Sequence, residues 1–374
     1  MSGCVFHFGM HKTGSSSIQN SLYHGLRDPA FHFADMGQAN ASASIVTAFR
    51  ADPEKQNMNR KLGLSRAQLQ PVIRNTLERL HCELARCAQQ TVILSGEHIA
   101  LLKQAEFQRL WEFLRGHTAD LRAAGYIRAP LSYMESAFQQ HVQGGHGVFE
   151  PDRLLPRYRT RLEKVELAFG AASMHYWYFD PATFPEGCVV RDFCRRLRID
   201  FDPQAVERVN EGLSLPAAGL LYTYRKYGPG YGTGEVAVRQ NAALVRKLRK
   251  LEGPRLRLHP ELVAPAIARH AAEIDWMEQR LQRSLTEPDA DPGANAIRSE
   301  HDLFCFEPQT LEWLGAHLDS RAGARLHPNS GADEVASRMH QLLLKADYDE
   351  MAARNSFRRT ARRLWRRILP RSLR

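Results

Sequence analysis

The chain has 374 residues, of which 43% are hydrophobic, 25% charged and 9% aromatic, enough apolar material for a sizeable core. With 25 Gly, 19 Pro and 6 Cys over that length, collagen-like, low-complexity and disulfide-scaffold readings are excluded, and no apolar run reaches the roughly 18–20 residues of a membrane span. The formal charge of +10 is local: nine Arg and no acidic residue follow position 353, and without them 42 basic residues stand against 41 acidic ones.

Residues 1–12 hold neither a basic leader nor a long apolar run, so a cytoplasmic location is expected. Cys4, Cys82, Cys87, Cys188, Cys194 and Cys305 form no C-x-x-C pair and have no His at zinc-ligand spacing. They are expected as small buried groups in a reducing compartment.

In chain order, Cys4-Val5-Phe6-His7-Phe8 predicts a buried strand, residues 9–14 a turn, and residues 15–22 a helix opened by capping hydroxyls. Residues 31–33 predict a second strand and 66–90 a helix with apolar Leu69, Val72, Ile73, Leu77, Leu80 and Leu84. A strand at 91–94 stops at Ser95-Gly96-Glu97-His98. A helix around 107–115 and a strand around 122–128, ending at Ala129-Pro130, follow. A strand at 174–179 leads to a helix at 189–197. Residues 203–290 are mainly helical, 287–293 a linker, and helices resume at 308–318 and 334–344. Such alternation predicts an α/β protein with a parallel sheet flanked by helices and a mainly helical second half. Ligands of such sheets sit beyond the carboxyl ends of the strands, where residues 9–14, 95–98 and 128–130 all fall.

Gly9-Met10-His11-Lys12-Thr13-Gly14-Ser15-Ser16-Ser17 is the most informative stretch. A glycine turn between strand and helix aims backbone N–H groups at one point, which suits an oxyanion. Lys12 adds charge, and Ser15, Ser16 and Ser17 add hydroxyls. A Walker A loop would place Lys after the second glycine, whereas Lys12 precedes Gly14. The strand at 92–94 ends in Ser95 and not in an Asp that could hold Mg²⁺.

The stretch resembles the sulfotransferases that use 3′-phosphoadenosine 5′-phosphosulfate (PAPS). Their 5′-phosphosulfate loop reads Lys-[Ser/Thr]-Gly-[Ser/Thr]-[Ser/Thr], matched by Lys12-Thr13-Gly14-Ser15-Ser16. The same enzymes bind the 3′-phosphate with an Arg at a strand end and a Ser eight residues later, matched by Arg128 and Ser136. Val189-Val190-Arg191-Asp192-Phe193 through Ile199-Asp200, and Asn210-Glu211-Gly212-Leu213-Ser214, are weaker echoes. The resemblance covers residues 1–215 broadly. Residues 226–234 lack the Trp-Lys of the C-terminal signature of the cytosolic vertebrate enzymes.

The resemblance implies a P-loop-like sulfotransferase fold over residues 1–353, with a donor-binding core at about 1–202 and a helical region at about 203–353. It implies PAPS as co-substrate, no metal, and a hydroxyl acceptor on a carbohydrate or small metabolite. Lys12, Thr13, Gly14, Ser15, Ser16, Ser17, Arg128 and Ser136 would bind the donor, with Lys12 at its bridging oxygen. Glu97, in a segment like the "S-[SG]-E" of bacterial members, is the first choice for the base, with His98 and His11 as alternatives. His141 and His146 would lie near the acceptor, and Tyr222, Tyr224, Tyr227 and Tyr231 either stack on it or pack. A P-loop-type kinase and a non-enzymatic surface-binding protein are the rival readings.

In 354–374, Arg358-Arg359, Arg362-Arg363 and Arg366-Arg367 recur every four residues, with Phe357, Ala361, Leu364, Trp365, Ile368 and Leu369 between them. That pattern predicts a basic amphipathic helix on an anionic membrane surface. The alternatives are docking on the protein's own body and, less favoured, nucleic-acid binding.

Overall fold

The computed structural model describes residues 2–10, 13–207, 212–287, 293, 295–318, 326–328 and 330–368, with side chains up to residue 353. Strands β1 (Gly3–His7), β2 (Phe31–Phe33), β3 (Thr91–Ser95), β4 (Leu121–Ile127) and β5 (Met174–Tyr178) form one parallel sheet in the order β2-β3-β1-β4-β5. Each expected strand is present. The register sets Val5 beside Ile93 and Arg122. Every residue of β1 and β3 is buried, as a parallel sheet covered on both faces requires, whereas the edge strands β2 and β5 are partly open.

Alternation along β1 sends Val5 and Phe6 to opposite faces. Val5, Ile93 and Tyr126 pack under Ile18 and Leu22 of the helix Ser15–Gly25 and under Val190 and Phe193 of the helix Val189–Leu197. Phe6 meets the rings of Phe107 at 5.9 Å and Phe169 at 6.0 Å, on the helices Gln104–Arg115 and Tyr158–Phe169.

Three expectations change. The helix that opens at Arg66 ends at Leu84 and passes into a 3₁₀ turn, Ala85–Ala88. It buries only Leu69, Thr76, Leu80 and Leu84, and Val72 is exposed. Cys82, on the outer face of that helix, and Cys305 are exposed, while the other four cysteines are buried. The helix expected at 334–344 runs on from Ala332 to Ile368, because no Gly or Pro interrupts it.

Two compact units divide the chain. The first comprises Met1–Phe138, Glu150–Glu211 and Leu258–Gly293 and carries the sheet. The second comprises Gln139–Phe149, Gly212–Arg257 and Ala294–Arg374. Its core is helical, with Leu220, Leu221, Leu244 and Met339 buried on the helices Leu215–Tyr227, Gly234–Leu248 and Ala332–Ile368. Among the described residues no helix is long and apolar enough to cross a membrane.

Candidate functional site

Three neighbouring strands of the first unit, β3, β1 and β4, are parallel and so bring their carboxyl ends to the same side of the sheet. The three segments singled out by the sequence leave from these ends. After β1 the chain turns through Gly9 at φ +33° and Gly14 at φ +75°. A Cβ on Gly9 would stand 2.6 Å from Ser15 Oγ and 3.0 Å from Glu97 Cγ, and one on Gly14 would stand 2.4 Å from Val189 Cγ1. Both positions therefore need glycine for their backbone and for the close approach of neighbours.

Thr13 and Ser15 are buried and turn their hydroxyls inward. Thr13 Oγ1 donates to the Met10 carbonyl at 2.8 Å, and Ser15 Oγ reaches the same oxygen at 3.3 Å. The expected hydroxyl cap is not formed: Gly14 caps the helix Ser15–Gly25 and no side chain bonds its end. Its opening turn, with the half-buried Ser16 and Ser17, presents backbone donors of the kind that take an oxyanion. His11 and Lys12 lie outside the described residues.

Beyond β3, the Gly96 N–H donates to the His7 carbonyl at 3.1 Å, tying this bend to the end of β1. Glu97 is half-buried beside Gly9. His98 is exposed, and its N–H donates to Ser42 Oγ at 3.1 Å. Glu97 is thus a group packed against the loop after β1.

Behind the loop lies a network absent from the sequence reading. His7 Nδ1 and Ser95 Oγ are 2.7 Å apart, and Gln19 Nε2 donates to Ser95 Oγ at 3.0 Å. It joins the ends of β1 and β3 to the helix after the loop. His7 Nε2 is buried without a hydrogen-bond partner among the described residues. Burial pushes the His7 imidazole down to about 4, the charge of Glu97 opposing this in part. An unfolded chain binds this proton at the ordinary histidine value of 6.5, so between these values the unfolded state holds more protons and stability falls as pH falls. Between pH 7.5 and pH 5 the loss is about 2 kcal/mol. Urea midpoints should show that loss in the parent and lack it in His7→Gln.

At the end of β4, Arg128 is only 8% exposed. Its Nη1 donates to Ser136 Oγ at 2.9 Å and its Nε to Ser132 Oγ at 3.0 Å, both on the helix Pro130–Gln143. The guanidinium lies 5.7 Å from the centre of the Phe179 ring, and Tyr158 Oη donates to the Arg128 carbonyl. Arg128 and Ser136 therefore meet, and Ser132 joins them one turn nearer the helix start. Glu287 Oε2 accepts the Ser132 N–H at 3.0 Å.

The remaining candidates lie in the second unit. Tyr222 and Tyr224 are buried, Tyr222 donating to Glu300 and Tyr224 stacked on His340. Tyr227 and Tyr231 flank the glycine turn after their helix, and the rings of His141 and His146 are 5.5 Å apart.

No family model matches the chain, and no curated protein matches it. Among solved structures, the sulfotransferase domain from the curacin biosynthetic pathway is similar to it at 14% identity and a TM-score of 0.35. The match covers 56% of this chain and 79% of that domain.

Proposed function

We propose that the chain transfers the sulfuryl group of PAPS to a hydroxyl of a carbohydrate or small metabolite. The observation that carries this reading is the convergence of Arg128, Ser132 and Ser136 beyond β4, beside the glycine-capped helix start beyond β1. A guanidinium held by two hydroxyls offers a fixed fork of donors to a phosphate. A helix start without a side-chain cap offers backbone donors to a second anion. PAPS carries two such groups, the 3′-phosphate and the 5′-phosphosulfate.

In the proposed reaction the acceptor oxygen forms a bond to sulfur as the bond from sulfur to the bridging phosphate oxygen breaks. The acceptor proton passes to Glu97. Negative charge grows on the leaving phosphate, where the resemblance puts Lys12. Such fixed positive charge commonly contributes about 10²–10³ in rate. 3′-Phosphoadenosine 5′-phosphate (PAP) is released.

Binding of PAP measured by calorimetry, with ATP and Mg²⁺ as competitor, tests the donor half. A sulfation screen with labelled PAPS over glycans, phenols and small alcohols tests the acceptor half. Arg128→Ala should weaken PAP by roughly 1.5–3 kcal/mol, the worth of a charge-assisted hydrogen bond, with the fold retained. Unchanged PAP affinity would remove Arg128 from the site.

A further inference from the structure

The helix Ala332–Ile368 continues without a break through 37 residues, about 55 Å at 1.5 Å per residue. Its first half is built into the second unit. Val335, Met339, Leu342, Leu343 and Ala346 are buried. Arg239 holds Asp347 at 2.7 Å, and Arg246 holds Glu350. The helix Gly234–Leu248, which supplies both arginines, ends just after Arg246. Glu350 is also the last acidic residue of the chain. The helix nevertheless goes on to Ile368, about 27 Å further.

Positions 346 and 357 are eleven residues apart, three helical turns. The apolar positions 357, 361, 364 and 368 therefore prolong the line that is buried earlier in the same helix. Positions 358, 359, 362, 363, 366 and 367, all Arg, fall on the opposite side. One continuous helix thus carries an apolar stripe and an unbalanced positive charge, in a chain whose charges elsewhere nearly cancel.

We propose that the helical stretch 354–368 docks the protein on a lipid bilayer with anionic headgroups. A nucleic acid rewards the arginines alone, through its phosphates. A bilayer rewards both halves of the pattern: arginines at the headgroups, and Phe357, Leu364, Trp365 and Ile368 in the interface below them. The segment holds nine Arg and no acidic residue to offset them, which suits an anionic surface. This inference is independent of the donor chemistry proposed above.

The test is sedimentation of the full chain with phosphatidylcholine vesicles, with and without phosphatidylserine, at low and high salt. Binding should require phosphatidylserine and weaken with salt. Replacing Arg358, Arg359, Arg362 and Arg363 by Gln should lower it about 10²-fold or more, at roughly fivefold per arginine. Leu364→Ala with Trp365→Ala should weaken it at both salt concentrations, through lost apolar contact. PAP affinity, measured on the same preparations, should be equal in parent and variants. Its absence from all of them would count against the sulfotransferase reading and leave this one standing. Vesicle binding that ignores phosphatidylserine, or that survives loss of the four arginines, overturns the proposal. So does a parent that ignores vesicles, whether or not it binds duplex DNA.

Discussion

Glu97→Gln should lower turnover about 10²–10⁴-fold, the usual worth of a positioned general base, with PAP affinity nearly unchanged. The substitution keeps the shape of the side chain and its capacity to hydrogen-bond, and removes only its basicity. Glu97 is suited to the test because its place is fixed by packing. It stands just beyond the end of β3, after Gly96, and its Cγ lies where a Cβ on Gly9 would come within 3.0 Å. A role confined to bracing the loop makes a different prediction: Glu97→Gln would then leave turnover intact, and Glu97→Ala would weaken PAP and lower the melting temperature together. His98 supplies the contrast. It is exposed and held through its backbone N–H to Ser42, so His98→Ala should cost little. An active Glu97→Gln beside a dead His98→Ala would move the base to His98. Full activity in both would move it elsewhere, with His11 the next candidate.

The parts of the fold that were legible are those with local signals. β1 reads as a buried strand because Cys4-Val5-Phe6 is wholly apolar, and a helix around residues 189–197 is found as Val189–Leu197. The meeting of Arg128 with Ser136 follows from a spacing that brings a helical side chain back to the same side after two turns. Ser132 obeys the same geometry one turn earlier and could have been found from Pro130-Leu131-Ser132. Glu287 could not, since it reaches Ser132 across 155 positions of sequence. His7 was hidden for another reason. In a strand buried on both faces no polar and apolar alternation marks a special position, so its bond to Ser95 emerges only from the pairing of β1 with β3. The cap of the helix Ser15–Gly25 is ambiguous in the sequence because hydroxyl residues suit both the cap and the first turn. The left-handed backbone of Gly14 decides between them. The long final helix looks like two segments in the sequence because its character changes, from mixed charge to arginine alone, while its backbone does not.

Asp192→Ala should destabilise the protein by about 3 kcal/mol, the low end of what breaking a buried ion pair costs. The carboxylate has no exposed side-chain surface. It accepts Tyr126 Oη from β4 at 2.7 Å, an Arg195 N–H at 2.6 Å and Arg196 Nε at 2.5 Å. Arg196 in turn lies 5.3 Å from the Trp177 ring centre. Loss of the carboxylate strands the Tyr126 hydroxyl in the core. The arginines are 61% and 33% exposed and recover hydration, which holds the cost to the lower figure. Burial alone would raise the Asp192 pKa, but the hydrogen bonds from Arg196, Tyr126 and Arg195 outweigh it and leave the group below its ordinary value of 3.8. Its contribution is therefore complete above that value and lost only as pH falls through the lower folded one. The loss from His7 comes earlier in acid, so the two effects separate on a pH series. Arg191→Ala is the control on the same helix. Arg191 pairs with Glu186, which is 71% exposed, so the change should stay within about 1 kcal/mol. The consequence reaches the candidate site through Val189, the first residue of this helix, which fills the space beside Gly14. Asp192→Ala should accordingly weaken PAP as well as lower the urea midpoint, whereas Arg191→Ala should do neither. A midpoint for Asp192→Ala equal to that of the parent would show that this buried carboxylate does not hold the helix against the sheet.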